Sequence, residues 1–145
     1  MKTTDLSVCA LLIGDHGDGR LLLYQVFRDS GWRLLEAQDR NRALDCLDRN
    51  SVQVVITNSE GDRWPWKKIL DHLLRRAKPP QLIVTSHTAD EQLWAEVLNR
   101  GGYDVLARPF RREEIERVVA SARRHFDLPL RTHANSAGQD IVLKG

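Results

Sequence analysis

Asn58 closes an apolar run, Val52 to Asn58, at the point where a buried strand should give way to a loop. Three other polar groups stand at comparable points: Asp15 after Cys9 to Ile13, Thr85 near the end of Gln81 to Ser86, and Arg108 after Tyr103 to Ala107. Their types limit the chemistry. An amide is a poor nucleophile and brings no negative charge to a divalent cation. Asp15 is the one clear carboxylate of the set, and it faces Arg108, so the formal charge is near zero. Glu60 lies two residues past Asn58 and adds a carboxylate if the loop folds back. A hard cation takes several anionic oxygens, so Asp15 with Glu60 is a poor metal site, and no cofactor is expected. His16 has no second histidine or cysteine at ligand spacing and reads as a solvated loop residue. Cys9 and Cys46 match neither a disulfide framework nor a metal spacing, which points to buried free thiols in a reducing cytoplasm. No catalytic triad is visible, and the chain is not read as an enzyme.

The elements that must position these groups alternate. Short apolar runs read as strands at Cys9–Ile13, Trp32–Ala37, Val52–Asn58, Gln81–Ser86 and Tyr103–Ala107. Segments of helical period lie between them. Gly17–Ser30 carries Leu22, Leu23, Val26 and Phe27 on one stripe, and Asp39–Asn50 starts on an acidic cap. Pro65 opens a third helix with Trp66, Leu70 and Leu73 on its buried side. Ala89–Arg100 ends at Gly101-Gly102, glycines suited to left-handed capping. Arg111–Phe126 carries Ile115, Val118, Val119, Ala122 and Phe126 as an apolar stripe. Strand and helix alternating five times implies a doubly wound α/β fold with a parallel sheet. The domain is read as residues 1–126. Residues 127–145 are read as a C-terminal tail, in which Asp140–Leu143 could add a short strand.

Composition agrees with one domain of this kind. The chain has 145 residues, 41% hydrophobic and 29% charged, with a formal net charge of +2. So small a bias gives no argument for nucleic acid. The N-terminal apolar run stops at Asp15, too short for a membrane span and without a cleavage site.

The strand-end residues carry a family resemblance. Gly14-Asp15, Asn58, Thr85 and Arg108-Pro109-Phe110, with Gly101-Gly102-Tyr103-Asp104-Val105-Leu106 leading into the last group, resemble the response regulator receiver domain family (CheY-like). The resemblance implies a flavodoxin-like doubly wound (βα)5 three-layer sandwich with a five-stranded parallel sheet. In that family Gly14-Asp15 would be an acidic pair, Asn58 the phosphate-accepting aspartate, Thr85 the switch hydroxyl and Arg108 a lysine. Gly14, Asn58 and Arg108 depart from the pattern together, which points to an atypical pseudo-receiver and to Mg²⁺ binding that is weak or absent. Asp15 and Arg108 are expected to pair, filling the metal's place. Val105 stands where receivers carry a switching aromatic.

The implied role is a stand-alone, cytoplasmic receiver-like domain of two-component (phosphorelay) signalling, independent of phosphorylation and acting through protein–protein contacts. The partner would be a histidine kinase or a downstream regulator, with no nucleic acid and no membrane. Trp94, on the outer side of the fourth helix, marks the helix 4–strand 5–helix 5 face as the output or homodimer surface. Trp66 reads as core and Trp64 is open between core and docking surface. Arg111, Arg112, Arg117, Arg123 and Arg124 read as a solvated face interspersed with glutamates. The alternative is a cobalamin-binding or flavodoxin-like cofactor-binding domain: Asp15-His16-Gly17-Asp18-Gly19 approaches a cobalamin loop, but its first aspartate is replaced by Gly14.

Overall fold

The computed structural model describes residues 7–61 and 63–128. Within them, strands β1 (Cys9–Ile13), β2 (Arg33–Ala37), β3 (Val54–Asn58), β4 (Gln81–Ser86) and β5 (Asp104–Ala107) alternate with helices α1 (Gly19–Ser30), α2 (Arg40–Arg49), α3 (Trp66–Leu74), α4 (Glu91–Arg100) and α5 (Arg112–Phe126). The strands form one sheet in the order β2-β1-β3-β4-β5, and every neighbouring pair is parallel. The expected fold is the observed one. Of the tail read from the sequence, everything past Leu128 lies outside the described residues, including the strand considered at Asp140–Leu143.

Strand residues alternate between two cores, as the pleat requires. Leu11, Ile13 and Val55 point to one face, where Ala43 and Leu47 of α2, Ile69, Leu70 and Leu73 of α3 and Val97 of α4 cover them. Ala10, Leu12, Val54 and Ile56 point to the other, under Leu23, Val26 and Phe27 of α1 and Ile115, Val118, Val119 and Ala122 of α5. Each valine, leucine, isoleucine or phenylalanine among them contributes about 1.5–3 kcal/mol by leaving water, which makes the sheet a rigid platform for whatever stands at its ends.

Local signals set the boundaries. Asp39 caps α2 by accepting from the Arg42 N–H at 2.9 Å, and Asp90 does the same for α4 from the Leu93 N–H at 2.9 Å. Gly101 ends α4 with φ +106. Gly102 is needed for room instead: a Cβ there would stand 2.6 Å from Cγ1 of Val97. α1 begins at Gly19, two residues later than expected, because Gly17 takes φ +50 and turns the chain before the helix starts. Cys9 and Cys46 are free as expected but only half-buried, packed at the margin of the core. Burial pushes the Cys9 thiol up, so it stays protonated.

Candidate functional site

The sheet's topology brings the strand ends together. β2 and β3 leave β1 in opposite directions, and in open α/β sheets the crevice at such a reversal, outside the carboxyl ends, is where ligands bind. There a cleft of about 740 Å³ is lined by Gly14, Asp15, Asn58, Glu60, His87 and Arg108, among others. Asn58 and Thr85 are register partners across β3 and β4.

Asn58 uses both ends of its amide. Nδ2 donates to the Asp15 carbonyl at 3.1 Å, and Oδ1 accepts from the Glu60 N–H at 2.8 Å. The second bond is a local turn in which a short polar side chain caps the backbone two residues on. It folds the β3–α3 loop back over the strand ends and brings the Glu60 carboxylate inward. There Oε1 accepts from Arg108 Nη2 at 3.0 Å, while Oε2 accepts from Ser86 Oγ at 2.9 Å and from the His87 N–H at 3.3 Å. Burial pushes the Glu60 carboxyl up, but the bonds from Ser86, His87 and Ser59 and the charge of Arg108 outweigh it and hold it below the usual range. The Arg108 side chain is only 9% exposed, and its Nε is buried without a partner.

This corrects the expected Asp15–Arg108 pair. Asp15 is exposed, and its Oδ1 accepts from the Gly17 N–H at 2.9 Å. A bond two residues away orders little chain, so it competes well with a reach across the cleft. Arg108 takes Glu60 instead. No cluster of three His, Cys, Asp or Glu among the described residues is placed to hold a cation, and the Glu60 carboxylate is already engaged by Arg108, Ser86 and His87. The residues present do not fit a divalent metal.

Gly14 has φ +90, a backbone conformation that side-chain-bearing residues avoid, so the acid missing there is matched by a turn that favours glycine. Gly14→Ala is expected to lower stability by about 1–2 kcal/mol. Urea unfolding measures it, and an unchanged midpoint would contradict the strain.

His16 is the second correction. It is 0% exposed, and neither ring nitrogen has a hydrogen-bond partner. Burial, then the charge of Arg108, lowers its pKa to about 4; the Gly14 carbonyl pulls the other way without reaching hydrogen-bond geometry. So buried a ring cannot serve as an exposed ligand, which removes the residue that favoured cobalamin. Thr85 is fully buried below Asn58, its Oγ1 without a partner. The peptide between Arg108 and Pro109 is cis. Sequence reasoning missed Ser86 and His87, although both directly follow Thr85 at the strand end.

On the flank, Trp94 is 49% exposed and donates from Nε1 to Asp104 Oδ1 at 3.2 Å. It borders a shallow cleft of about 270 Å³ with Val105, Ala107, Asp90 and Glu114. Trp66 is core as read, and Trp64 is buried with it. Three of the α5 arginines pair with neighbouring acids, as Arg112–Glu116, Arg117–Glu114 and Arg123–Asp127. No helix among the described residues is long and apolar enough to cross a membrane.

Comparison with known proteins gives concordant matches. The family described as response regulator receiver domain matches residues 10–120. The uncharacterized transcriptional regulatory protein YrkP of Bacillus subtilis (strain 168) is 30% identical over 118 residues, 79% of this chain and 49% of that protein. The chain thus spans about half the length of that curated relative. The signal receiver domain of an HD domain-containing protein from Pseudomonas fluorescens Pf-5 superposes with a TM-score of 0.71 at 21% identity, covering 83% of this chain and 97% of that one. Full-length FixJ from B. japonicum gives 0.74 at 19% identity, over 90% and 64%. At these identities the structures speak for the fold alone.

Proposed function

We propose, from the premise that this chain belongs to the response regulator receiver domain family, that it signals without taking up a phosphoryl group. It is a signalling domain of two-component systems and not an enzyme. The observation that carries the proposal is Asn58, at the end of β3, with both amide atoms committed to Asp15 and Glu60. Asn58 then acts as a structural tie where a phosphoacceptor would stand. Arg108 on Glu60 supplies the local charge balance, and Mg²⁺ binding is weak or absent. Gly14 and Asp15 line the same cleft, Thr85 lies buried beneath Asn58 and Pro109 follows Arg108, each without chemistry of its own in this reading. The receiver-like unit is residues 1–126, with 127–145 as a tail, working in the cytoplasm on family grounds.

A domain held in one state acts by offering a constant surface. The α4–β5–α5 face around Trp94 and Val105 is the proposed surface, toward a second copy or a protein partner such as a histidine kinase or a downstream regulator. What supports it is the half-exposed indole, since an aromatic anchor buries much area at low entropic cost. Trp94→Ala is expected to weaken self-association or partner binding by about 2 kcal/mol, roughly thirtyfold, with the melting temperature nearly unchanged. Sedimentation and thermal unfolding of this one variant test it, each with and without a small phosphodonor. A large loss of stability with association intact, or association that responds to the phosphodonor, would sink the proposal.

A further inference from the structure

Away from the strand ends and the Trp94 face, α2, α3 and the loop before α3 enclose a cleft of about 670 Å³ with Arg40, Arg63, Lys68 and Arg75 on its walls and Trp64 and His72 beside them. We propose that this cleft binds a small, multiply charged oxyanion of the polyphosphate class.

The pairing pattern of the two helices points to it. Arg42 pairs with Asp39 and Arg49 with Asp45; Lys67 pairs with Glu96 and Arg76 with Asp48. These cations lie outside the cleft lining. The four that line it have no ion-pair partner among the described residues, although they belong to the same helices and their flanks. Among the described residues, Asp71 is the lone carboxylate of the lining. A concave wall of low dielectric concentrates such a field, and like charges gathered in it repel until an anion enters. The His72 pKa is lowered by burial first and then by the charges of Arg76, outside the lining, and of Arg75 and Arg40 within it.

The cleft is also ordered at its base. Trp64 is buried, His72 packs against it with ring centroids 6.1 Å apart, and the Arg40 guanidinium lies 5.9 Å over its ring. An arginine held on an aromatic face keeps its fork free, and guanidinium forks suit paired oxygens of phosphate. The volume falls in the range of about 300–1,000 Å³ usual for small-ligand sites. Arg63 and Trp64 also line the strand-end cleft, so the two sites meet on the β3–α3 loop.

Titration calorimetry of the full chain with inorganic triphosphate at low salt tests the proposal, beside citrate and a short DNA duplex. Saturable one-to-one binding of triphosphate is expected. It should weaken at least about tenfold in the Lys68→Glu, Arg75→Glu double variant and stay unchanged in Arg124→Glu, an exposed cation on α5 outside the cleft. The substituted positions are all exposed, and circular dichroism confirms that the variants remain folded. Equal binding by wild type and the double variant overturns the site. Citrate binding as tightly as triphosphate overturns the polyphosphate class, and a duplex that binds tighter than triphosphate assigns the cleft to nucleic acid instead.

Discussion

Given a small phosphodonor and Mg²⁺, the protein will show no mass increase mapping to the strand-end cleft, and Asn58→Asp alone will label slowly. The first result follows from the amide, since an acyl phosphate forms only on an ionised carboxylate oxygen in line with the donor. The second follows from what surrounds it. Phosphoryl transfer depends on positioning and on cations that neutralise the moving charge. The Asn58→Asp substitution adds a carboxylate but leaves Gly14 at φ +90, where an acid is strained, and leaves Arg108 on Glu60 at 3.0 Å. It also removes the amide N–H that reaches the Asp15 carbonyl. A metal's charge stabilisation is worth several kcal/mol, so labelling slower by about a hundredfold or more than in a site with a full acidic cluster is expected. Intact mass over time reads both outcomes. Rapid, Mg²⁺-dependent labelling of the single variant would mean that the cleft reorganises around a metal, and the phosphorylation-independent reading would fall.

Much of this architecture is legible in the sequence, and the site is legible only in part. Ala10–Ile13, Val54–Ile56 and Leu82–Val84 are covered on both faces, so they print as unbroken apolar runs. The helices print as stripes such as Ile115, Val118, Val119 and Ala122, because only one side of each meets the sheet. Strand ends then follow from sheet geometry, which is why Asp15, Asn58, Thr85 and Arg108 were found as a set. Their partners were not. Whether Arg108 takes Asp15 or Glu60 depends on the course of a loop, and that course is set by two short-range bonds, Asn58 to Glu60 and Gly17 to Asp15. Sequence patterns treat both carboxylates as free to reach. His16 differs for a related reason: a loop histidine with no second ligand at metal spacing reads as solvated, yet between the turns at Gly14 (φ +90) and Gly17 (φ +50) it is fully buried. Trp94 was legible because one apolar stripe is all a helix on a sheet needs, and it falls beyond that stripe.

The buried histidine makes stability depend on pH over a defined window. His16 has a pKa of about 4 in the folded protein against an ordinary value of 6.5. As pH falls below 6.5 the unfolded chain takes up a proton that the folded chain refuses, so unfolding is favoured; below about 4 both states are protonated and the loss levels off. The stabilisation is therefore complete above pH 6.5 and is lost on the way down to 4, by about 1.4 kcal/mol per pH unit at the steepest and roughly 3 kcal/mol altogether. His16→Phe removes the titration while keeping a ring of similar size. Because neither nitrogen has a partner to lose, the variant should be about as stable as wild type at pH 7.5 or more so. Urea unfolding of both proteins from pH 7.5 to 4 isolates the term by difference, since His72 and the carboxylates titrate in each. Parallel stability curves would exclude His16 as the cause, and so would a folded-state imidazole that titrates near 6.5 by nuclear magnetic resonance. If the curves diverge, the loss has a definite origin: protonation charges a ring that is shut away from water and, second, sets that charge near the Arg108 guanidinium.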